Sequence, residues 1–337
     1  MAEMMKAMAV NKYGNNPVHM EDIPVPEIGP EDVLVRVKAA SVNPIDFKTR
    51  NGDMKTLVKY KFPLVLGSDF AGVIEKVGKD VTDYKEGDKV YGRPSKGKIG
   101  TFAQYFAIDQ HEIAPMPTNL NFVEAASIPL VGLTSYQALH EVMDLKKGDK
   151  VLIQAGSGGV GTFAIQLAKV MELYVATTVS DKGEALVKEL GADEIINYKK
   201  QNFWDVLSGY DGVFNLIPGK DLDEAFTILK RGGTIASLVG PPTNTFADKV
   251  HLNPVKRLGV WYMSRDVRKL MKKYDVYYEF FLMHPSEEQL RVIGNLIEEQ
   301  KIKPVIDKVF PFHETQQALE YSEEGHVKGK VVVKVED

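Results

Sequence analysis

The chain has 337 residues, 44% of them hydrophobic and 26% charged, with a formal net charge of −4. That length exceeds one typical core and predicts two domains, and the charge offers no general attraction to nucleic acid or an anionic membrane. No apolar run is long enough to span a bilayer, and the absence of cysteine excludes disulfides, a thiolate nucleophile and thiolate-held zinc.

The opening Met1-Ala-Glu-Met-Met-Lys6 lacks the apolar core of a secretory signal, so a cytoplasmic protein is expected, with Met1 or Met5 as its functional start. From Met5 to about Leu120 the pattern is strand-like. Residues 33–39, 71–77 and 88–91 read as strands bounded by Gly78 and Gly87. Pro24, Pro26 and Pro30 keep the intervening stretches irregular. A mostly antiparallel β domain is expected here.

Beyond Asn121 helices alternate with strands. Residues 122–128 and 132–142 read as helices, and 151–155 as a buried strand followed by a helix at 162–169. Then come a strand at 173–178, a helix at 182–190, and strands at 194–197, 211–216 and 234–239. Such alternation predicts an open, mostly parallel α/β sheet. Residues 258–263 are a candidate for a further strand. After Ser264 the pattern turns helical; Ser286-Glu-Glu-Gln289 forms a capping box ahead of Leu290, Ile293 and Ile297 on one helix face. Residues 330–334 read as a closing strand.

The most specific feature is Gly156-x-Gly158-x-x-Gly161, set between the strand at 151–155 and the helix at 162–169. Gly156 permits a tight turn, Gly158 lets the backbone approach a pyrophosphate, and Gly161 lets helix and strand pack closely. Ser157, Gly159 and Val160 complete the loop, whose helix start offers N–H groups and a positive dipole end to phosphates. An ordinary glycine-rich turn competes with this reading, but the strand–turn–helix setting favours a dinucleotide.

The next strand tip decides which dinucleotide. An NAD site places an acid there for the ribose 2′-OH. Thr178 stands near that point and is neutral, and the hydroxyls of Thr178 and Ser180 with the cation of Lys182 suit a 2′-phosphate. NADPH is therefore the expected cofactor. Asp181 either caps the following helix or serves as a displaced ribose acid. No metal is expected, because none of the seven histidines has a partner at ligand spacing along a helix.

A series of strings then carries a resemblance: Ala40-Ser-Val-Asn-Pro-Ile-Asp46, Gly67-Ser-Asp-Phe-Ala-Gly72, Glu86-Gly-Asp-Lys-Val-Tyr91, Gly100-Thr-Phe-Ala-Gln-Tyr105, Leu133-Thr-Ser-Tyr136, the glycine loop, Leu190-Gly-Ala-Asp193 and Gly329-Lys-Val-Val-Val333. In this order the chain resembles the zinc-independent, zeta-crystallin-like quinone oxidoreductase branch of the medium-chain dehydrogenase/reductase superfamily. The resemblance implies a GroES-like catalytic domain at residues 1–121 and 265–337, a Rossmann NADPH-binding domain at 122–264, an active site in the cleft between them, and a homodimer joined through the cofactor domains. Where zinc-dependent relatives have a cysteine and a Gly-His-Glu string as ligands, this chain has Asn43 and Gly67-Ser-Asp69. The stretch from Asn43 to Gly52 resembles plant enone and alkenal reductases and their bacterial relatives, whereas typical zeta-crystallin-like quinone reductases carry tyrosine at the place of Lys48.

Hydride addition to the β-carbon of an enone moves negative charge onto the carbonyl oxygen, and quinone reduction makes the same demand. Lys48 is the candidate cation for that oxygen; its alternative is a surface lysine covering an apolar patch. Asn43 is a candidate to bond the nicotinamide ribose or the substrate, or else a turn residue before Pro44. Asp46 is placed to orient Lys48 or simply pair with it. The family likeness adds Thr134 to the cofactor contacts and gives Tyr198 a 2′-phosphate contact, against plain aromatic packing at a strand end. Asn215, Val239 and Gly240 lie at strand ends where ligands collect, and Phe281 and Leu282, beside Phe280, are candidates for an apolar wall at the nicotinamide. The loops 53–62 and 93–100 are expected to shape the substrate pocket.

The expected function is zinc-independent, NADPH-dependent hydride transfer to quinones or to the C=C bond of α,β-unsaturated carbonyls. The alternative is a non-enzymatic NADPH- and RNA-binding role, known among zeta-crystallin-like proteins. That role needs a basic stripe with interleaved aromatics; the basic clusters at 55–61 and 265–273 are modest, and residues 267–274 read instead as a solvated helix face.

Overall fold

The computed structural model describes residues 3–55 and 58–336. Met1, and Thr56 and Leu57 of the loop 53–62, lie outside the described residues. The first stretch contains β1 (Met4–Val10), β2 (His19–Pro24), β3 (Asp32–Val42), α1 (Pro44–Asn51), β4 (Leu64–Val65), β5 (Phe70–Val77), β6 (Lys89–Gly92), β7 (Tyr105–Asp109), β8 (Ile113–Pro115) and α2 (Phe122–Ala126). Next come α3 (Pro129–Tyr136), β9 (Lys150–Ile153), α4 (Gly159–Val170), β10 (Tyr174–Val179), α5 (Glu184–Glu189), β11 (Glu194–Asn197), β12 (Tyr210–Asn215), α6 (Lys220–Ile228), β13 (Leu229–Ser237), α7 (Asn244–Lys249), α8 (Pro254–Met263), α9 (Arg265–Tyr274) and β14 (Tyr277–Phe280). The chain closes with α10 (Glu287–Glu298), β15 (Ile306–Pro311), α11 (Thr315–Glu323) and β16 (Lys330–Lys334).

These elements form two compact units, one made of the residues up to Leu133 together with those from His284 onward, the other Thr134–Met283. In the first unit, β15-β16-β3-β5-β6-β8 form one sheet, with β7 also on β3, and β2-β1-β4 form a smaller one. Most of its pairings are antiparallel, as the alternating strand patterns predict. Val33, Val35 and Val37 of β3, Phe70 and Ile74 of β5, and Val331 and Val333 of β16 are buried in one core, each contributing about 1.5–3 kcal/mol of apolar burial. The pairing of β16 with β3, Val331 opposite Val42 and Val333 opposite Ala40, carries the last strand to the segment just before Asn43.

The second unit is a parallel sheet in the order β11-β10-β9-β12-β13-β14. Numbered from its own first strand this is 3-2-1-4-5-6, the doubly wound arrangement of a dinucleotide-binding fold. The expected α/β class, with a GroES-like unit and a Rossmann unit, is the class observed.

The divisions along the chain differ from those read at Asn121 and Ser264. Helix α2 packs on β3 and β5 and so belongs to the first unit. At the other end, β14 extends the parallel sheet beside β13, and Val267 of α9 lies in that unit's core. The candidate strand at 258–263 is also corrected. Asn253 accepts a hydrogen bond from the Lys256 N–H at 2.9 Å, and Pro254 occupies the first turn, so α8 starts there and runs through the apolar run. A short apolar stretch does not distinguish strand from helix; the cap does.

Candidate functional site

In the second unit, the predicted cofactor residues come together at one edge of the sheet. The register sets Ile153, Thr177 and Phe214 level, then Asn215 with Ser237 and Ser237 with Phe280. The carboxyl ends of the strands therefore carry the glycine turn, Thr178 and Ser180, Tyr198, Asn215, the 238–240 turn and Phe281 along one line.

The glycine turn has a different internal logic from the one its spacing predicts. The left-handed residue is Ala155, with φ at 51°, and not Gly156. A Cβ on Gly156 would lie 2.1 Å from Thr177 Oγ1, so this glycine is required by the close passage of β10. Gly161 behaves as expected, since a Cβ there would meet the Ala155 carbonyl oxygen at 2.4 Å. A Cβ on Gly158 would meet only Ala155 O, at 3.3 Å. Gly158 caps α4 without a side-chain hydrogen bond, so the N–H groups of Gly159, Val160 and Gly161 are presented uncapped. Ser157 is half-buried beside them. This cradle fits a pyrophosphate.

Thr178 is buried, and its hydroxyl oxygen accepts the Ala155 N–H at 3.1 Å, so it braces the turn and keeps only its O–H to offer. Ser180 is half-buried and Lys182 exposed, while Tyr198 is 59% exposed. Asp181 does not cap a helix. Its carboxylate accepts from Asn197 Nδ2 at 2.9 Å and from Lys200, whose hydrogen bond holds it below the usual carboxylate range. Residues 182–190 accordingly form a tight turn, Asp181–Gly183, and then α5.

Asn215 is fully buried, with Nδ2 donating to Gln154 Oε1 and to the Ile217 carbonyl, each at 2.7 Å, and Oδ1 accepting from Ser237 Oγ. Ser237 Oγ in turn accepts the Gly240 N–H at 3.0 Å and the Val239 N–H at 3.4 Å. Asn215 thus fixes the 238–240 turn and has no amide hydrogen left for a ligand. Gln154, which sequence reasoning missed, holds the centre of this set. Phe281 is buried against Phe214 and Leu282 is half-buried. Thr134 is buried within α3.

In the first unit, α1 begins directly after β3 and carries Asn43 at its cap, Asp46 in its first turn and Lys48 in its last. Asp46 is fully buried. Its two oxygens accept from Ser68 Oγ at 2.6 Å and from the Asn43 N–H at 2.8 Å. Burial pushes its carboxyl up to about 7, against the pull of those two hydrogen bonds. The expected pairing with Lys48 is therefore absent, as helix positions two apart do not face each other. Lys48 is exposed on α1.

Asn43 is buried too. Its Nδ2 donates to Asp69 Oδ2 at 2.8 Å and to the Ser41 carbonyl at 3.3 Å, and its Oδ1 accepts from the ammonium of Lys330. With both amide hydrogens committed, Asn43 is not placed to donate to a ribose or a substrate. Asp69 also accepts from Ser41 Oγ at 2.8 Å and from the Leu130 N–H at 2.9 Å. Lys330 Nζ is 3.5 Å from Asp69 and 3.1 Å from the Val42 carbonyl oxygen. Burial lowers the Lys330 ammonium from the ordinary lysine range, opposed by Asp69 and Asp46. Two of the places at which a zinc-dependent relative has ligands, Asn43 and Asp69, thus hold a protein cation, while Ser68 donates to Asp46. The sequence reading marks Asp69 at the zinc-ligand place but misses Lys330 as its partner, because the strand patterns do not show that β16 pairs with β3. Among the described residues no three His, Cys, Asp or Glu side chains converge as a metal site would need.

Residues 29–118 match the family model described as the alcohol dehydrogenase GroES-like domain, and residues 190–333 match one described as zinc-binding dehydrogenase. The chain is 33% identical to the bovine (Bos taurus) mitochondrial NAD(P)H oxidoreductase RTN4IP1, over 98% of this chain and 89% of that protein. It is 35% identical to the chloroplastic NADPH-dependent alkenal/one oxidoreductase of Arabidopsis thaliana, over 98% of this chain and 79% of that protein. The quinone oxidoreductase from Coxiella burnetii superposes with a TM-score of 0.84 at 34% identity, covering 99% of this chain and all (100%) of that one.

The buried carboxyl of Asp46 has a measurable signature. Its ordinary value is 3.8 and its folded value about 7. Between those pH values the folded chain holds a proton that the unfolded chain has released, so stability from this group falls as pH rises through the window and levels off above it. Thermal unfolding of the wild type should show that decline, and Asp46→Asn should flatten it. Parallel profiles for the two proteins would mean that Asp46 is ionised throughout.

Proposed function

The chain belongs to the medium-chain dehydrogenase/reductase superfamily, and from that membership we propose that it is a zinc-independent, NADPH-dependent reductase of quinones or of the C=C bond of α,β-unsaturated carbonyls. The observation that carries this reading is the level edge of the parallel sheet, where an uncapped glycine turn, a hydroxyl-bearing strand tip and an apolar wall lie in line. The N–H groups of Gly159, Val160 and Gly161 would hold the pyrophosphate, and Ser180 and Lys182 the 2′-phosphate. Bound there, reduced nicotinamide supplies the hydride.

The protein's own part is to hold and polarise the acceptor. Lys48 has a free ammonium on a helix whose first turn is locked by Asp46, Ser68 and Asn43. At the substrate carbonyl it would stabilise the negative charge that hydride addition sends to the oxygen, with Lys48 or solvent providing the proton. Lys330 supports the zinc-independent reading: its ammonium supplies positive charge within the polar cluster of Asn43 and Asp69. The alkenal/one oxidoreductase and quinone oxidoreductase relatives support the two substrate classes.

The same reading takes the protein as a homodimer. Strand β14 is the sheet's outer strand with Tyr277 66% exposed, and α8 exposes Leu258, Trp261 and Met263. An outer strand and an exposed apolar helix face are each a template for a second copy. Light scattering should return twice the mass of one chain, and a monomer at assay concentration would refute this part.

Two kinetic outcomes test the reaction. Lys48→Met keeps the side chain's volume and removes its charge, so kcat on enones should fall roughly 10²–10³-fold, with a smaller loss on quinones and unchanged NADPH affinity. Near-normal kcat on both classes would reduce Lys48 to a surface residue. NADPH should exceed NADH in kcat/KM by at least about tenfold, the worth of one charge-assisted phosphate contact, and Lys182→Ala should erode that preference. Equal use of both cofactors would sink the assignment of the strand tip.

A further inference from the structure

The loop 93–100 begins with a cation that the fold leaves largely unbonded. Arg93 is only 3% exposed. A guanidinium carries five N–H donors, yet here Nη1 donates to the carbonyl of the adjacent Pro94, and Nε is buried without an acceptor. Asp69, Asp46 and Glu112 act on Arg93 through space, but each has other commitments. Asp69 is taken up by Ser41, Asn43, Leu130 and Lys330. Asp46 is bonded to Ser68 and Asn43, and Glu112 accepts the Ser95 N–H at 3.0 Å.

A second cation stands three residues on. Lys96 is half-buried, and burial together with the neighbouring charge of Arg93 lowers its ammonium to about 8. Tyr60, from the facing loop 53–62, donates its phenol to the Lys96 carbonyl and so joins the two loops. Two like charges three residues apart in one loop, one of them desolvated with a donor left unbonded, are costly to keep in a folded protein. They become favourable when an anion is placed between them. The antiparallel register that sets Gly92 opposite Phe70 carries Arg93 to the level of Asp69, which bonds Asn43 at the start of α1, the helix that bears Lys48.

We propose that Arg93 and Lys96 form a carboxylate-recognition site, so that the preferred substrates are enones or quinones carrying a carboxylate away from the reacting carbon. This rests on the reductase reading above and names the substrate class within it. The fork of Arg93 suits bidentate capture of a carboxylate, and Lys96 adds a point charge. A neutral substrate in the same place would leave Arg93 Nε without an acceptor.

The test compares a series of oxo-alkenoates of different spacer length with their methyl esters, both as substrates and, by calorimetry, as ligands. At least one acid should have a KM about tenfold or more below its ester's, as one charge-assisted contact implies. Arg93→Gln should raise the KM of the acid by a similar factor and leave kcat and the ester's KM within about twofold. Lys96→Gln, a milder change in a half-buried side chain, should give part of the same effect, and the acid's KM should rise as pH passes about 8 and Lys96 loses its proton. Equal KM values for acid and ester in the wild type would overturn the proposal without touching the reductase reading. So would an Arg93→Gln variant that loses kcat on the ester, because Arg93 would then serve the reacting oxygen. If neither compound is reduced, the reductase reading fails on its own. Calorimetry then decides the site: acid binding lost in Arg93→Gln or Lys96→Gln upholds it, and equal or absent binding of acid and ester removes it.

Discussion

The buried ammonium of Lys330 is the interaction on which the first unit's candidate chemistry rests. It sits between Asp69 and Asn43 because β16 pairs with β3 and brings the start of the last strand under the end of Val42. Without that cation, Asp69 would be a fully buried carboxylate held only by neutral donors. Asn43 would also lose the bond that sets its amide's polarity. The same placement ties Asn43, the cap residue of α1, to the last strand of the sheet. The network is charged but almost closed: nearly every oxygen and N–H in it has a partner, which is the condition for a buried polar cluster to be rigid.

The second unit reaches order by a different route. The middle of its candidate edge is built from backbone and neutral side chains, with Gln154, Asn215 and Ser237 tying three strand ends together. Nothing there needs a compensating ion, so the edge can present uncapped N–H groups to a phosphate. The contrast is useful chemically. One unit offers fixed dipoles at its sheet edge, the other an exposed cation, Lys48, on a helix whose first turn is locked.

Much of this was legible in the chain itself. Strand–turn–helix patterning around Gly156 to Gly161 specifies a local structure, and local structure is what periodicity reads well. The capping box at Ser286 was equally readable, and its hydroxyl accepts the Gln289 N–H at 3.3 Å. What escaped was non-local. Lys330 and Asp69 are far apart in sequence, and only sheet pairing makes them neighbours. Asn43 and Asp46 were recognised as notable, but their partners determine that they brace the site instead of facing a ligand. Ala155 shows a smaller failure of the same kind: the left-handed turn falls on it, and the requirement for glycine at 156 comes instead from the passing side chain of Thr177. The helix α8 was misread for a local reason, since the apolar run outweighed a cap at Asn253 that was present in the sequence.

The return of the chain to the first unit has a consequence for how the protein is made. The parallel-sheet unit ends at Met283, whereas the first unit is finished only when residues from His284 onward arrive. Synthesis proceeds from the amino end, and domains fold as units as they emerge. The second unit can therefore complete its core while the first still lacks β15 and β16. Until then β3 has an open edge, and Asp69 has no ammonium beside it. The cluster around Asp69 acquires its charge balance only when β16 docks on β3 and brings Lys330 with it.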